Sequence, residues 1–489
     1  MPSATPLRVL LAAPLLAGLL VAFPRAAAQS LPDLGDISSA TLSPQLERRI
    51  GENIMREIRR DPDYLDDPEV QDYLRILGSR LVEAGNAGRQ EFEFFGVRDP
   101  SVNAFAMPGG FIGVHTGLIA LSDSESELAS VMGHEIAHVT QRHIARQVSD
   151  QEKMSIPVLI GSIAALIVSR SRPDLASGLS TAVQGVAAQR FLNYSRDFER
   201  EADRVGMQAL AAAGFDARAM PQFFEKLQRA TRVNDDGSYP GYLRTHPLNT
   251  ERIADAQNRA ASLPYKQHLD ALEYHLVRAK LRAEQGNAQD VVAVFQNAVR
   301  DRRYASETGA RYGLAHALLR ERRTDEAQAE LGRLRATRAE SPMIETLAAR
   351  VLQAKGDAVG ALALLKSAMS KYPNRRTVSY AYGGALIDAG RAAESLALAT
   401  EQLRYYPRDE RLHAMQARSY ALLGKRLHQH RAQAEVYALM GSLPAAIEQL
   451  QLAQTAGDGD FYEQSAVDAR LRVLREQHRA EQLDQKKQR

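Results

Sequence analysis

Apolar residues recur along the first third of the chain with two different periods. Residues 46–59 and 68–84 carry an apolar face at helical spacing, which predicts two amphipathic helices. Residues 92–97 form a short strand candidate, and residues 103–118 have the pattern of a strand, a Pro-Gly-Gly turn and a second strand. We therefore predict a small sheet within a mostly helical unit. An exposed edge strand of the hairpin can pair with an extended peptide, although a purely structural hairpin has the same pattern.

From about residue 265 onward the pattern changes to consecutive helices with an internal repeat. Gly356, Gly390 and Gly424 are spaced by 34 residues, and Pro373 and Pro407 keep the same spacing. This is the period of tetratricopeptide repeats, which place a tight turn and a helix stop at such positions. An irregular helical bundle is the alternative, but it does not explain the double spacing. We predict an all-α tetratricopeptide-repeat solenoid over residues 265–489, with a curved surface available to protein partners.

Composition narrows the class of protein. The 489 residues are 45% hydrophobic and 25% charged, which is ordinary for a folded chain of two or three domains. The net charge is +3 and no basic cluster with interleaved aromatic residues occurs, so nucleic acid is not an expected partner. The sequence contains no cysteine, which excludes a thiol nucleophile and a lipidated N-terminal cysteine.

The N-terminus has the three parts of a secretory signal peptide. Arg8 provides the positive region, residues 9–23 form the apolar core, and small residues ending at Ala28 provide a cleavage site. We predict a signal peptide over residues 1–28, cleaved near Ala28, and therefore an exported protein. An uncleaved anchor helix is the alternative, which the short and interrupted apolar core disfavours.

The strongest chemical signal is a stretch that reads H-E-I-A-H, from His134 to His138. The two histidines are four residues apart, so on a helix they project from one face and can bind one zinc ion. Glu135, between them, can accept a proton from water activated by the metal. Ser124 and Glu127 form a capping box that predicts where this helix begins. A solvated helix with two incidental histidines is the alternative.

A zinc peptidase needs a third protein ligand, and an acidic stretch near residue 200 offers candidates. Glu199 and Asp203 are four residues apart and share a helical face, whereas Glu201 points roughly the other way. We predict that Glu199 is the third ligand and that Asp203 orients a zinc histidine or assists proton transfer. A solvated acidic helix face is the alternative interpretation.

An apolar stretch between these motifs, residues 156–169, is too short to span a bilayer comfortably, and a small-residue helix is predicted over residues 180–188. We interpret the two as a helical hairpin that packs near the active site. A lining role in the cleft and peripheral contact with a membrane are the alternatives.

The two chemical motifs, H-E-I-A-H and S-R-D-F-E-R-E-A-D, resemble those of the HtpX-type and CAAX-prenyl-protease-type zinc metallopeptidases. The segments N-A-F-A, P-G-G and G-V-H-T-G-L between residues 103 and 118 also match that family. The resemblance implies an α+β, zincin-like metalloprotease domain, predicted over residues 29–262, that binds one Zn2+ per chain. It assigns the third ligand to Glu199 and the family's aspartate to Asp203.

Two further histidines receive different predictions. His246 is in a predicted loop, where a lone histidine is usually exposed. The resemblance implies instead that His246 approaches the zinc and fills the open coordination position, as a latch on a latent enzyme. His143, nine residues after His134, is predicted to lie on roughly the opposite helix face and to be structural.

An exported protease of this type joined to helical repeats resembles the periplasmic proteases of outer-membrane β-barrel assembly. The resemblance implies a periplasmic zinc endopeptidase whose partners are misassembled outer-membrane proteins and their assembly machinery. The rival hypothesis is a repeat-based chaperone or scaffold with a latent or structural zinc site. The intact Glu135 favours the peptidase, because a purely structural site does not need a base.

Overall fold

The computed structural model describes residues 42–86, 88, 90–150, 195–233 and 241–487. The signal peptide predicted over residues 1–28 and the hairpin predicted from residues 156–169 and 180–188 lie outside these ranges. Within them, no helix is both long enough and apolar enough to cross a membrane.

The N-terminal part of the chain is a helical unit built around one small sheet. Its strands are β1 (Glu93–Val97), β2 (Ala104–Met107) and β3 (Phe111–His115). Its helices are α1 (Pro44–Ile58), α2 (Pro68–Ala84), α3 (Thr116–Leu121), α4 (Glu125–Thr140), α5 (His143–Asp150), α6 (Arg196–Ala212), α7 (Ala219–Val233), α8 (Gly241–Thr245) and α9 (Thr250–Ser262). The predicted amphipathic helices correspond to α1 and α2, and the predicted strand and hairpin correspond to β1, β2 and β3.

The three strands are ordered β1-β3-β2, with β1 parallel and β2 antiparallel to β3. Gly109 and Gly110 form the turn between β2 and β3, with φ angles of 78° and 87° that glycine adopts without strain. A Cβ atom on Gly109 would lie 2.5 Å from the backbone of Arg48, so this turn also needs the absence of a side chain. Because β2 is the last strand in this order, it forms one edge of the sheet, and it packs against α4.

Helix α4 begins where the capping pattern predicts. The side chain of Ser124 accepts the backbone N–H of Glu127 at 3.2 Å. The Glu127 carboxylate accepts a backbone N–H at 2.8 Å, but from Asp123 rather than from Ser124 itself. Residues 125–139 are buried along the whole helix, so α4 forms the centre of the unit.

Helices α10 to α21 form the C-terminal repeats: α10 (Leu272–Ala283), α11 (Ala288–Arg300), α12 (Glu307–Arg320), α13 (Thr324–Ala336), α14 (Pro342–Ala354), α15 (Ala358–Lys371), α16 (Arg376–Asp388), α17 (Ala392–Tyr405), α18 (Glu410–Leu422), α19 (Arg426–Leu439), α20 (Leu443–Gln454) and α21 (Phe461–Lys487). Gly356, Gly390 and Gly424 follow α14, α16 and α18 with φ angles of 84°, 74° and 69°. After each glycine, the next N–H donates to a carbonyl of the preceding helix at 2.8 to 2.9 Å, which ends that helix. The predicted fold class, an α+β unit followed by all-α repeats, is confirmed.

The repeats pack directly against the N-terminal unit. Lys280 of α10 is buried and lies 2.6 Å from a carboxylate oxygen of both Asp67 and Glu69, at the start of α2. The hydroxyl of Tyr274 donates to the carbonyl of Ser122 at 2.7 Å. One apolar core runs from the sheet into the first repeats without a break. The domain boundary between residues 262 and 265 stays a prediction, and the two parts share packing across it.

Candidate metal centre

Two histidines of α4 form the base of the candidate site. His134 and His138 lie on one face of the helix, and their Nε2 atoms are 2.9 Å apart. Their side chains are 1% and 0% exposed, so both rings are withdrawn from solvent. This is the geometry that the spacing of H-E-x-x-H predicts for a helix.

Helix α6 brings the carboxylate of Glu199 to these nitrogens. Its Oε1 atom is 3.4 Å from Nε2 of His138, and its Oε2 atom is 3.6 Å from Nε2 of His134. The two helices approach closely because Gly133 and Gly206 face each other where they cross. A Cβ atom on Gly206 would lie 2.9 Å from the backbone of Gly133, which would push the helices apart.

His246 completes a group of four buried donors. Its Nδ1 atom is 2.9 Å from Oε1 of Glu199 and 3.3 Å from Nε2 of His134. One donor atom from each of His134, His138, Glu199 and His246 lies within 4.8 Å of the others. The structure thus brings together all four residues predicted as ligands or latch. Their roles at the metal stay predictions.

The predicted loop before His246 is wrong at residues 241–245, which form α8. The backbone N–H of Tyr242 donates to the carbonyl of Val102 at 3.0 Å and ties α8 to the segment that leads into β2. The ring of Tyr242 stacks on His246 with centroids 4.6 Å apart. As a result His246 is 1% exposed, and it is not the solvated side chain that a loop position suggests.

Asp203 lies behind His134, on the side away from the donor group. Its Oδ1 atom is 2.9 Å from Nδ1 of His134. Arg252 of α9 donates to both oxygens of Asp203 at 2.8 Å and lies 2.7 Å from Oε2 of Glu199. Burial alone would raise the pKa of Asp203, but Arg252 and His134 outweigh it and lower that pKa. Asp203 is therefore an ionised acceptor for the Nδ1–H of His134.

Glu135 projects from α4 beside the donor group. Its Oε1 atom is 3.3 Å from Nε2 of His246, and the carboxylate is completely buried. Burial raises the pKa of Glu135, and the opposing influence of His246 and His134 does not cancel it. A carboxylate with a raised pKa is a better proton acceptor than an exposed one.

The predicted position of His143 on the opposite helix face is wrong. Helix α4 ends at Thr140, and Arg142, with a φ angle of 53°, turns the chain before α5 begins at His143. The ring comes back to the site, and its Nδ1 atom is 2.8 Å from Nδ1 of His138. Its Nε2 atom is 3.1 Å from Oε2 of Glu201, which lies outside the group of four donors. The prediction fails because it assumes one continuous helix.

The arrangement of these nitrogens fits a metal cation. The Nδ1 atom of His134 faces an ionised carboxylate, and that of His138 faces His143. The Nε2 atom of His134 is thus left with a lone pair, which faces Nε2 of His138 across 2.9 Å. Imidazoles together with one carboxylate are a donor set that divalent transition metals accept. The residues present therefore fit a metal cofactor.

Sequence reasoning missed two residues that support the site, Arg252 and His143. Arg252 is 4% exposed and joins two carboxylates of α6, but an arginine at a helix start gives no sign of burial. The turn before His143 depends on a non-glycine residue with positive φ, for which the sequence carries no signal. The one related signal in the sequence is the close spacing of the acidic residues Glu199, Glu201 and Asp203, because carboxylates need hydrogen-bond donors or cations as partners when they are buried.

The site combines a buried helix that carries two histidines and a glutamate, a carboxylate from a second helix and an adjacent edge strand. This combination defines the class of metal-dependent peptidases. The family model described as Peptidase family M48 matches residues 68–260. A tetratricopeptide-repeat model matches residues 352–419. Both matches agree with the two parts of the fold.

Similar proteins cover between 41% and 91% of the chain. The beta-barrel assembly-enhancing protease of Yersinia pestis is 31% identical over 452 residues, which is 91% of each protein. A relative from Vibrio cholerae is 41% identical over 257 residues, or 52% of each protein. The mitochondrial metalloendopeptidase OMA1 of Arabidopsis thaliana is 31% identical over 204 residues, 41% of this chain and 39% of that protein. The chain belongs to peptidase family M48 and, within it, to the family of beta-barrel assembly-enhancing proteases.

Proposed function

We propose that the chain is an exported zinc endopeptidase that acts in the periplasm on misassembled outer-membrane β-barrel proteins. The observation that carries the proposal is the buried group of His134, His138 and Glu199 with Glu135 beside it. Three protein donors and an adjacent glutamate are the groups that a zinc peptidase needs. Zinc, one ion per chain, is the metal that imidazoles with a carboxylate suit best.

In this mechanism His134, His138 and Glu199 hold the metal, and Glu135 moves the proton. When bound, zinc supplies Lewis-acid chemistry: it acidifies water and stabilises negative charge on a carbonyl oxygen. Glu135 accepts the proton that the attacking water loses, for which its raised pKa suits it. Glu135 then donates this proton to the leaving amine, so the carboxylate returns to its starting state.

Asp203 is proposed to orient His134 rather than to transfer protons. Its pKa is lowered, because Arg252 and His134 outweigh the effect of burial. Two oxygens held by Arg252 at 2.8 Å fix the carboxylate, and one of them is also 2.9 Å from Nδ1 of His134. A carboxylate held in this way is suited to keep a ligand ring in one orientation.

Strand β2 is proposed to bind the backbone of the substrate. The N–H of His115 donates to the carbonyl of Asn103 at 3.0 Å, so the backbone groups of Ala104 and Ala106 alternate to the side away from β3. The backbone of Ala106 is also close to Glu135, and this contact partly opposes the increase that burial causes in the pKa of Glu135. An extended peptide that pairs with β2 would therefore pass beside the proposed base.

The repeats are proposed to recognise the partner. They pack beside the peptidase unit, and stacked helical repeats offer extended surfaces to other proteins. The relatives' name links them to β-barrel assembly, so misassembled outer-membrane proteins and the assembly machinery are the proposed partners.

A chaperone or scaffold is the second candidate, and the burial of His246 within the donor group favours it. Glu135→Gln separates the two functions. If cleavage is the function, this variant loses both cleavage of a client and rescue of its assembly. If the chain is a scaffold, this variant still rescues assembly of the client.

The first test of the proposal is metal analysis of the purified chain, combined with a casein cleavage assay with and without a chelator. A chain that takes up no zinc, or cleavage that is insensitive to the chelator, would contradict the proposal.

A further inference from the structure

His138 has a partner on the side of its ring that faces away from the donor group. The Nδ1 atom of His143 is 2.8 Å from the Nδ1 atom of His138, while Nε2 of His138 faces His134. The side chain of His143 is completely buried. Only one of the two facing Nδ1 atoms can carry the proton of this hydrogen bond, so the direction of donation decides what Nε2 of His138 can bind.

Glu201 decides that direction. Its Oε2 atom is 3.1 Å from Nε2 of His143 and 2.8 Å from Nη1 of Arg146. The guanidinium of Arg146 can only donate, so this Oε2 atom is an acceptor. His143 therefore donates to it from Nε2, and the Nδ1 atom of His143 carries a lone pair. His138 must then donate from Nδ1, which leaves its Nε2 lone pair toward the metal site.

We propose that His143 and Glu201 are positioning residues that hold His138 in the tautomer and ring orientation needed for metal binding. The inference rests on the proposed metal site. Each of the two α4 histidines then has its own pair of supporting residues. Asp203 and Arg252 lie behind His134. His143 and Glu201 lie behind His138. Three of the four acidic residues of α6, namely Glu199, Glu201 and Asp203, then serve the same site, although Glu201 points away from Glu199.

A packing role for His143 is the competing explanation. Its ring stacks on Phe198 with centroids 4.6 Å apart and an interplanar angle of 10°. His143→Phe preserves a flat ring for this stack but removes both nitrogens. His143→Asn loses the stack but can place an amide oxygen near the position of Nδ1, where it accepts from His138. The two explanations therefore rank the two variants in opposite order.

The measurement is zinc affinity of the full chain, by competition with a chelator of known affinity. Loss of a residue that orients a metal ligand typically costs about 10- to 100-fold in metal affinity. We expect a loss of this size for His143→Phe and a smaller loss for His143→Asn. Higher affinity in His143→Phe than in His143→Asn overturns the proposal in favour of packing. An unmodified chain without zinc overturns the metal site itself, whereas equal affinity of unmodified chain and His143→Phe overturns this inference alone.

Glu201→Ala provides a second test that does not alter the buried ring. Its side chain is 27% exposed, so its removal leaves little empty space. We expect weaker zinc binding in Glu201→Ala and no further weakening when it is combined with His143→Phe, because the two act through one chain of hydrogen bonds. Asp197→Ala, on the same helix and 90% exposed, is the matched control that retains zinc affinity. Additive losses, or an unchanged affinity in Glu201→Ala, contradict the proposal.

Discussion

Removal of the His246 side chain is expected to raise proteolysis. In the structure this imidazole is 2.9 Å from Oε1 of Glu199 and 3.3 Å from Oε1 of Glu135, so it occupies the space between a proposed ligand and the proposed base. Burial alone would lower the pKa of His246, but the carboxylates of Glu199 and Glu135 outweigh it and raise that pKa. In the proposed mechanism His246 therefore lies where water and the substrate carbonyl would enter.

The size of the effect follows from these contacts. A hydrogen bond to a charged group contributes about 1.5–3 kcal/mol, and each 1.4 kcal/mol changes an equilibrium by about tenfold. Loss of one such bond therefore increases the open fraction, and the cleavage rate, by about 10- to 100-fold in His246→Ala. The assay is the initial rate of casein cleavage at equal zinc content. The control is His413→Ala, which removes a histidine in the repeats that bonds the carbonyl of Pro407. A His246→Ala rate equal to or below that of the unmodified chain refutes the latch.

Two further predictions follow from the donor group and from a buried histidine in the repeats. Glu199→Gln is expected to weaken zinc retention more than Glu201→Gln does. The first change alters a proposed ligand, whereas the second keeps an oxygen that can accept from His143. The reverse order would contradict the assignment of Glu199 as the third ligand. Burial, with Arg350 and Lys280, lowers the pKa of His316 to about 3 from an ordinary value of 6.5. Below pH 6.5 the unfolded chain therefore takes up a proton at His316 that the folded chain does not take up. The free energy of unfolding consequently decreases as the pH is lowered. At pH 5 this loss is about 2 kcal/mol and should be absent in His316→Gln; parallel stability curves in urea unfolding contradict it.

Local patterns predicted the parts of the fold whose signals lie within a few turns of chain. The capping pair of Ser124 and Glu127 indicated the start of α4, and this helix then determined the spacing of His134 and His138. The repeats were predictable because α14, α16 and α18 each end at a glycine with positive φ, and these glycines are 34 residues apart. In each case the residue type, the backbone conformation and the position are linked directly.

Contacts between distant segments were not predictable in this way. Arg252 joins Glu199 and Asp203 across about 50 positions of sequence, and its burial depends on how α9 packs on α6. The reversal before His143 depends on Arg142 in a conformation that many residue types avoid. His246 became a buried group because α8 is held against the segment that leads into β2, whereas its neighbouring residues alone indicate a loop. These features arise from tertiary packing, which one sequence does not display.

The proposed function requires Glu135 to act as the base of a zinc peptidase. The most direct measurement compares casein cleavage by His246→Ala with cleavage by the double variant His246→Ala/Glu135→Gln, both loaded with zinc. The first variant removes the proposed latch, so a low rate in the unmodified chain cannot obscure the result. We predict that both variants bind one zinc per chain, that His246→Ala cleaves casein, and that the double variant does not. Cleavage by the double variant at full zinc content would contradict this role of Glu135.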